Sequence, residues 1–87
     1  MRGAVNARRA PKKPVKLQIN NSGAWKNFIS FDADDDLAYS HIADAANTLG
    51  NLHHGHIAFR VIIDGPGDVV LTRWTREEGW KKAGHDA

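Results

Sequence analysis

Two runs of β-branched and aromatic residues, separated by a short break of Asp, Gly and Pro, constrain this chain more than any other feature. The runs occupy positions 56–63 and 69–74, and the break is the segment 64–68. Because Gly adopts turn conformations that other residues resist, and Asp bonds its own backbone in turns, the pattern predicts a β-hairpin. No other stretch is as apolar, so we expect the remaining elements to pack against this ribbon.

An earlier stretch predicts another hairpin. Val15, Leu17 and Ile19 alternate with polar residues, and this period of two indicates a strand with one face in water. The segment 20–23, Asn-Asn-Ser-Gly, is a strong turn signal. In the run 25–31 that follows, alternation predicts one side made of Trp25, Ile29 and Phe31 and another made of Lys26, Phe28 and Ser30.

The acidic run 32–36 predicts the start of a helix between the two hairpins. Carboxylates accept hydrogen bonds from the unpaired amides of a first helical turn and favour the positive end of the helix dipole. Spacings of four, three and four residues then give one apolar stripe, made of Ala38, Ile42, Ala45 and Leu49. Gly50 stands where a C-terminal cap belongs. The polar run 75–82 is predicted as one helical turn capped by Thr75, with Trp80 folded back on the body.

The order strand–strand–helix–strand–strand predicts an α+β domain. We expect a four-stranded antiparallel sheet, formed by two hairpins (ββαββ), with one helix packed on one face. The predicted domain spans residues 15–82, between a basic flexible arm at 1–14 and a flexible tail at 83–87. A domain this small buries only about 60% of the surface of its unfolded chain. A homodimer would therefore add core without adding chain.

Both faces of the second predicted hairpin carry apolar residues, whereas one helix covers only one face. A register slip of one residue exchanges the faces, so the free face holds one of two sets. One set is Ile62, Val69 and Leu71, and the other is Val61, Val70 and Trp74. We expect a macromolecular partner, a second copy of the chain or its own tails to cover this face. The predicted partner interface is Trp25, Arg60, Ile62, Val69, Leu71, Arg73 and Trp74.

Charge is distributed unevenly along the chain, although the net charge is only +2. Residues 1–31 hold seven basic groups and no acid, whereas residues 32–87 hold ten acids and five bases. A flexible basic arm can neutralise phosphates and release counterions, which predicts nucleic-acid binding by Arg8, Arg9, Lys12, Lys13 and Lys16. The alternative is that the arm keeps the protein in solution or docks on the acidic body.

Several kinds of site are disfavoured by the residue types present. The chain has no Cys, so it holds neither disulfides nor thiolate metal sites. The acidic run fails as an EF-hand loop, since the sixth and twelfth positions counted from Asp32 are Leu37 and Ala43 instead of Gly and Glu. The His-rich loop 53–56 lacks a carboxylate or thiolate at a confirming spacing, and we interpret it as solvated. We predict no catalytic residue, no metal and no cofactor.

A cytoplasmic location is expected from the hydropathy pattern. No apolar run approaches the ~18 residues of a membrane helix, and the first residues lack the hydrophobic segment of a signal peptide. We therefore predict no contact with a membrane.

The segments 23–26 (Gly-Ala-Trp-Lys) and 29–32 (Ile-Ser-Phe-Asp), with Trp74 and the Gly79–Trp80 step, resemble short uncharacterised proteins of phages and prophages. The resemblance covers about residues 15–82. It implies an accessory protein of the host cytoplasm that binds and blocks, or adjusts, a phage or host machine. The sequence thus predicts a small non-catalytic interaction protein that acts by binding a macromolecular partner, and the resemblance implies that it is a phage-type accessory or inhibitor. The alternative is a nucleic-acid-binding module that uses the basic N-terminal arm.

Overall fold

A five-stranded antiparallel sheet with one helix on one face makes up the described part of the chain, residues 12–83 of a computed structural model. The elements are β1 (Pro14–Asn20), β2 (Lys26–Asp32), α1 (Asp36–Leu52), β3 (Ala58–Ile63), β4 (Val70–Thr75) and β5 (Gly79–Lys82). The strand order is β2-β1-β3-β4-β5, and each neighbouring pair is antiparallel. The predicted α+β class, antiparallel sheet and helix are confirmed, but the sheet has five strands instead of four.

The additional strand β5 replaces the helical turn predicted for 75–82. The Thr75 hydroxyl accepts a hydrogen bond from the Glu78 amide at 3.3 Å, so Thr75 stabilises a turn rather than a helix. Gly79 then adopts a φ of +71°, a left-handed conformation that Gly reaches without steric cost. The chain reverses there, and Trp80 pairs directly opposite Trp74. The indole of Trp80 packs against the core and donates to the Ala43 carbonyl at 2.9 Å.

The helix begins where the acidic run predicts and ends later than Gly50. Asp35 is the N-cap, and its side chain accepts from the Ala38 amide at 3.1 Å. At the other end the helix continues to Leu52, and the His53 amide donates to the Leu49 carbonyl. Gly50 is therefore a helical residue rather than a cap.

The core lies between α1 and the sheet. Its buried side chains are Val15, Leu17, Ala46, Ile57, Phe59, Val61 and Trp74. Trp74 is 1% exposed, packs edge-to-face on Phe59 with ring centroids 5.7 Å apart, and donates its Nε1–H to the Asn47 Oδ1 at 2.9 Å. A Cβ added to Gly50 would lie 2.2 Å from the indole Cη2. Gly50 is thus required for the close approach of helix and sheet.

A register shift between β3 and β4 decides which apolar side chains face the helix. Ile62 pairs with Val70, while Leu71 is the extra residue of a β-bulge and packs against the core. Val61 and Trp74 also belong to the core, whereas Ile62 and Val70 share the other face. Neither of the two predicted sets therefore lies on one face, because the bulge breaks the alternation on which both sets were based.

Replacing Gly50 with Ala should destabilise the domain, although Ala normally favours a helix interior over Gly by about 1 kcal/mol. The new methyl group would overlap the buried indole of Trp74. Overpacking of this kind costs about 1–3 kcal/mol, which urea unfolding would measure as a lower free energy of unfolding.

A double-mutant cycle separates this clash from a general effect on the helix. Trp74→Phe removes the outer indole ring, which holds the three atoms nearest the added methyl. Gly50→Ala should therefore lower the free energy of unfolding by less in the Trp74→Phe background than in the wild-type chain. Equal costs in the two backgrounds would contradict the packing argument.

Candidate functional site

A row of directly opposite residues crosses all five strands on the face of the sheet that points away from α1, which we term the open face. Because side chains alternate between the faces of a strand, the neighbours of core residues in β1 and β3 point to this face. The register places in one row Asn27, Gln18, Arg60, Arg73 and Lys81. The last three, which we term the basic row, lie on the adjacent strands β3, β4 and β5.

Arg60 is held in position by neighbouring polar side chains. Its Nε donates to the Gln18 Oε1 at 2.7 Å, and the Gln18 Nε2 donates to the Asn27 Oδ1 at 2.8 Å. Gln18 is buried, so this short chain of hydrogen bonds is partly shielded from water. The guanidinium of Arg60 is therefore oriented before any ligand arrives.

Trp25 covers the guanidinium of Arg60. The guanidinium carbon lies 4.2 Å from the centre of the Trp25 ring, the geometry of a cation–π contact. The turn before Trp25 is set by Asn20, whose Oδ1 accepts from the Gly23 amide at 2.9 Å. Gly23 has a φ of +94°, which side-chain-bearing residues rarely adopt. This turn positions an aromatic side chain at the edge of the open face.

Positive charge accumulates on the open face. Arg73 is directly opposite both Arg60 and Lys81, and like charges in such positions destabilise a sheet. Lys16 belongs to the same face, with its Nζ 3.4 Å from an Asp64 carboxylate oxygen. Exposed ion pairs of this kind contribute about 0–1 kcal/mol. Lys81 likewise lies 3.8 Å from a Glu78 carboxylate oxygen, and both side chains are exposed. The repulsion between Arg60 and Arg73 therefore remains as a structural cost that an anionic ligand would relieve.

The structure separates the predicted partner interface into several places. Trp25, Arg60, Ile62 and Arg73 lie on the open face, although Ile62 is only 4% exposed. Trp74 is a core residue and Leu71 packs against the core, so neither belongs to a surface on that face. Val69 is half exposed in the loop before β4.

Lys81 is a member of the basic row that the sequence analysis missed. The prediction of a helical turn over 75–82 is wrong, because residues 80–82 alternate between the two faces of β5. The signal that identifies it is the Gly79–Trp80 step after a strand, which is typical of a tight turn into a second strand.

The residues of the predicted nucleic-acid-binding arm do not all belong to one part of the structure. Arg8 and Arg9 lie outside the described residues, whereas Lys16 is within β1. The backbone amides of Lys12 and Lys13 donate to the Asp32 carboxylate at 3.2 and 3.0 Å. Positions 12 and 13 are therefore attached to the end of β2. Among the described arm residues, Lys16 lies in β1 on the same face as the basic row.

Asp32 acts as an anchor for two segments of the chain. Its Oδ1 accepts from the Asp34 amide at 2.9 Å in addition to the Lys13 amide. Hydrogen bonds from the Asp34 and Lys13 amides lower the pKa of Asp32, and the Lys12 amide and charge lower it further. These bonds stabilise the ionised carboxylate of the folded state.

Asp32→Asn should lower the urea midpoint at about pH 7, because the amide group removes the acceptor for Lys12. The folded pKa of Asp32 lies below the unfolded value of 3.8, so its stabilisation is present above that pH. The stabilisation is lost as the pH falls through the folded pKa, and the difference between the two proteins should shrink there.

Asp68→Asn, which changes an exposed carboxylate in the β3–β4 loop, is the matched control. It should leave the urea midpoint close to that of the wild-type chain throughout the titration. A difference between Asp32→Asn and wild type that stays constant with pH would contradict the anchoring role.

The cleft beside the start of α1 is largely apolar. It has a volume of about 580 Å³ and is lined by Lys12, Lys13, Pro14, Val15, Ala33, Tyr39, Ile63 and Leu71. Burial raises the pKa of the Tyr39 hydroxyl, because the low-polarity surroundings disfavour the charged phenolate. The cleft pairs no general base with a nucleophile among these side chains, and its lining suits apolar contact.

The His-rich loop is held by hydrogen bonds to Arg76. The Arg76 guanidinium donates to the carbonyls of Gly50, His53 and Gly55 at 3.2, 2.7 and 3.0 Å. Within residues 12–83, no three His, Asp or Glu side chains form a group that could hold a metal ion. In the same part of the chain, no helix is long and apolar enough to cross a membrane.

No family model, curated protein or solved structure matches this chain. The resemblance to phage proteins stays a prediction. The basic row and the Trp25–Arg60 contact are the features from which a function can be inferred.

Proposed function

We propose that this protein is a non-catalytic module that binds a single nucleic-acid strand on the open face of its sheet. The observation that carries the proposal is the basic row, in which three cationic side chains lie directly opposite one another beside a Trp–Arg stack. This proposal unites the two functions that the sequence left as alternatives, since the macromolecular partner is the nucleic acid.

The spacing of the basic row supports a linear polyanion as the ligand. Adjacent strands lie about 4.8 Å apart, so Arg60, Arg73 and Lys81 follow a line about 10 Å long across the sheet. Their long side chains let each charge adjust to a phosphate along that line. Lys16 adds a further positive charge on the other side of Arg60.

The position of Trp25 favours a single-stranded nucleic acid over a duplex as the ligand. A base stacked on an aromatic side chain contributes about 1–3 kcal/mol, and only an unpaired base offers its whole face. Trp25 is half-buried and already stacked on Arg60, so its ring has a defined orientation. A sheet face with basic and aromatic side chains is a surface that splayed bases and phosphates can contact together.

Binding of a labelled oligothymidylate, measured by fluorescence anisotropy across a salt series, tests the charge contribution. Lys81→Gln and Arg73→Gln should each weaken binding and reduce the salt slope by about 0.7, the value for one lost phosphate contact on a single strand. Lys82→Gln is the matched control, because Lys82 is the next residue of β5 and pairs with Thr72 on the helix side.

Equal effects of Lys81→Gln and Lys82→Gln, or binding that does not respond to salt, would contradict a role for the open face. The double variant Arg8→Gln/Arg9→Gln in the full chain tests the arm. If this change alone abolished binding, the arm would be the binding element and the open face would not.

Trp25→Leu should weaken binding about tenfold without changing the salt slope, since it removes a stacking surface and no charge. The same anisotropy titration measures both quantities. A change in slope with no loss of affinity at low salt would mean that Trp25 acts through Arg60 rather than on a base.

A further inference from the structure

Two adjoining cavities lie between the first half of α1 and the sheet. One is the cleft of about 580 Å³ beside the start of α1, and the other, of about 510 Å³, is lined by Tyr39, Ala43, Leu71, Thr72, Trp80 and Lys82. Tyr39 and Leu71 line both cavities, which we together term the long cleft. Side chains of β1, β3, β4 and β5 line it, so three strand spacings of about 4.8 Å give it a length of about 14 Å.

The charged side chains that line the long cleft are all cations, among the residues that the structure describes. Lys12 and Lys13 lie at its β1 end, and Lys82 lies at its β5 end. The Lys13 Nζ is 3.6 Å from an Asp34 carboxylate oxygen, but both side chains are exposed, and such ion pairs contribute little. An apolar cleft with cations at its rim is complementary to an apolar molecule that carries an anionic group.

Backbone hydrogen bonds hold the two lysines at the β1 end of the long cleft. The Ala33 amide donates to the Lys13 carbonyl at 2.9 Å. On the other side, the Asp64 amide donates to the Pro14 carbonyl at 2.9 Å. The amides of both lysines donate to the Asp32 carboxylate. The main chain is therefore fixed, whereas the lysine side chains are exposed and can turn toward a ligand.

The apolar walls of the long cleft are also held in place before a ligand arrives. Tyr39 packs edge-to-face on Phe31, with ring centroids 5.3 Å apart. The Trp80 indole is fixed by its hydrogen bond to the Ala43 carbonyl at 2.9 Å. A cavity whose side chains are already ordered binds a ligand without a large loss of conformational entropy.

Another pair of cavities, between β2 and the second half of α1, differs from the long cleft in charge. These β2–α1 cavities have volumes of about 330 and 120 Å³, and both are lined by Phe28, Leu49 and Phe59. Within residues 12–83, no Lys, Arg, Asp or Glu lines them. They offer apolar contact without a partner for an anion, so they provide an internal comparison for the long cleft.

We propose that the long cleft binds a small amphipathic anion of the fatty-carboxylate class. The carboxylate is bound by Lys12 and Lys13, and the hydrocarbon chain extends past Leu71 toward Trp80. Two cations at the β1 end against one at the β5 end set this direction. Charge-assisted hydrogen bonds from the lysines hold the carboxylate, and burial of the chain supplies the rest of the affinity. The site lies on the helix side of the sheet and is thus separate from the open face.

Calorimetric titration of the full chain with decanoate, in the absence of nucleic acid, tests the proposal. Decanoate should bind at one site, and each CH₂ added from hexanoate to decanoate should tighten binding by up to about fourfold. The uncharged analogue 1-decanol should bind at least about tenfold more weakly, because it gives the lysines no charged partner. Absence of decanoate binding at every concentration below micelle formation would overturn the proposal, and so would equal affinities for decanoate and 1-decanol.

The double variant Lys12→Gln/Lys13→Gln tests the cationic end. It should weaken decanoate binding at least about tenfold and leave 1-decanol binding unchanged, because it removes charge and keeps the apolar walls. The backbone hydrogen bonds of both positions do not depend on the side chains, so we expect the variant to fold. Lys26→Gln/Lys81→Gln is the matched control, because neither lysine lines the long cleft. Equal effects of the two double variants on decanoate binding would refute the proposed site.

Amide chemical shifts, measured by NMR during the same titration, locate the bound ligand. Decanoate should shift the amides of Tyr39, Ile63 and Leu71, which line the long cleft. The amides of Phe28 and Leu49, at the β2–α1 cavities, should stay unchanged. Shifts confined to Phe28 and Leu49 would mean that apolar contact alone directs binding, which overturns the proposal. Since no nucleic acid is present, these results are independent of the proposed function.

Discussion

The close contact between Trp74 and Gly50 sets the geometry on which the rest of the structure depends. The indole fills the space where a Cβ on the helix would stand, and its ring nitrogen donates to Asn47 one turn earlier. Phe59 packs against the same ring from β3. Since both the helix and β3 are tied to one side chain, the register of β3 and β4 is determined in the core. That register places Arg60 opposite Arg73 on the open face.

Local patterns were enough to predict the elements made by neighbouring residues. The helix start followed from the carboxylates before it, and Asp35 is the residue that caps it. The faces predicted for the apolar side chains of β2 and β4 are wrong for one physical reason. Phe28 in β2 and Leu71 in β4 are each the extra residue of a β-bulge. A bulge forms because residues distant in the chain must pair and pack, and hydrophobic alternation along one strand does not reveal it. The strand β5 was missed because a short polar run around Gly79 is compatible with several kinds of turn.

In the candidate site, too, the residues can be picked out from the sequence, whereas their common surface depends on pairing between strands far apart in the chain. Lys16, Trp25, Arg60 and Arg73 could each be identified from the sequence, but they were assigned to two different functions. Their common surface depends on pairing between β1 and β3, where Gln18 and Arg60 are 42 residues apart. Charge counted along the chain pointed to the N-terminal arm. Charge counted across the sheet points to the open face, because register brings cations from three strands into line.

The basic row is asymmetric across the sheet. It runs from neutral Asn27 and Gln18 on β2 and β1 to its cations on β3, β4 and β5. Because the pairing register alone brings these cations into line, the positive charge of the open face is concentrated on the β3–β5 half of the sheet, while the neutral half supplies the hydrogen bonds that orient Arg60.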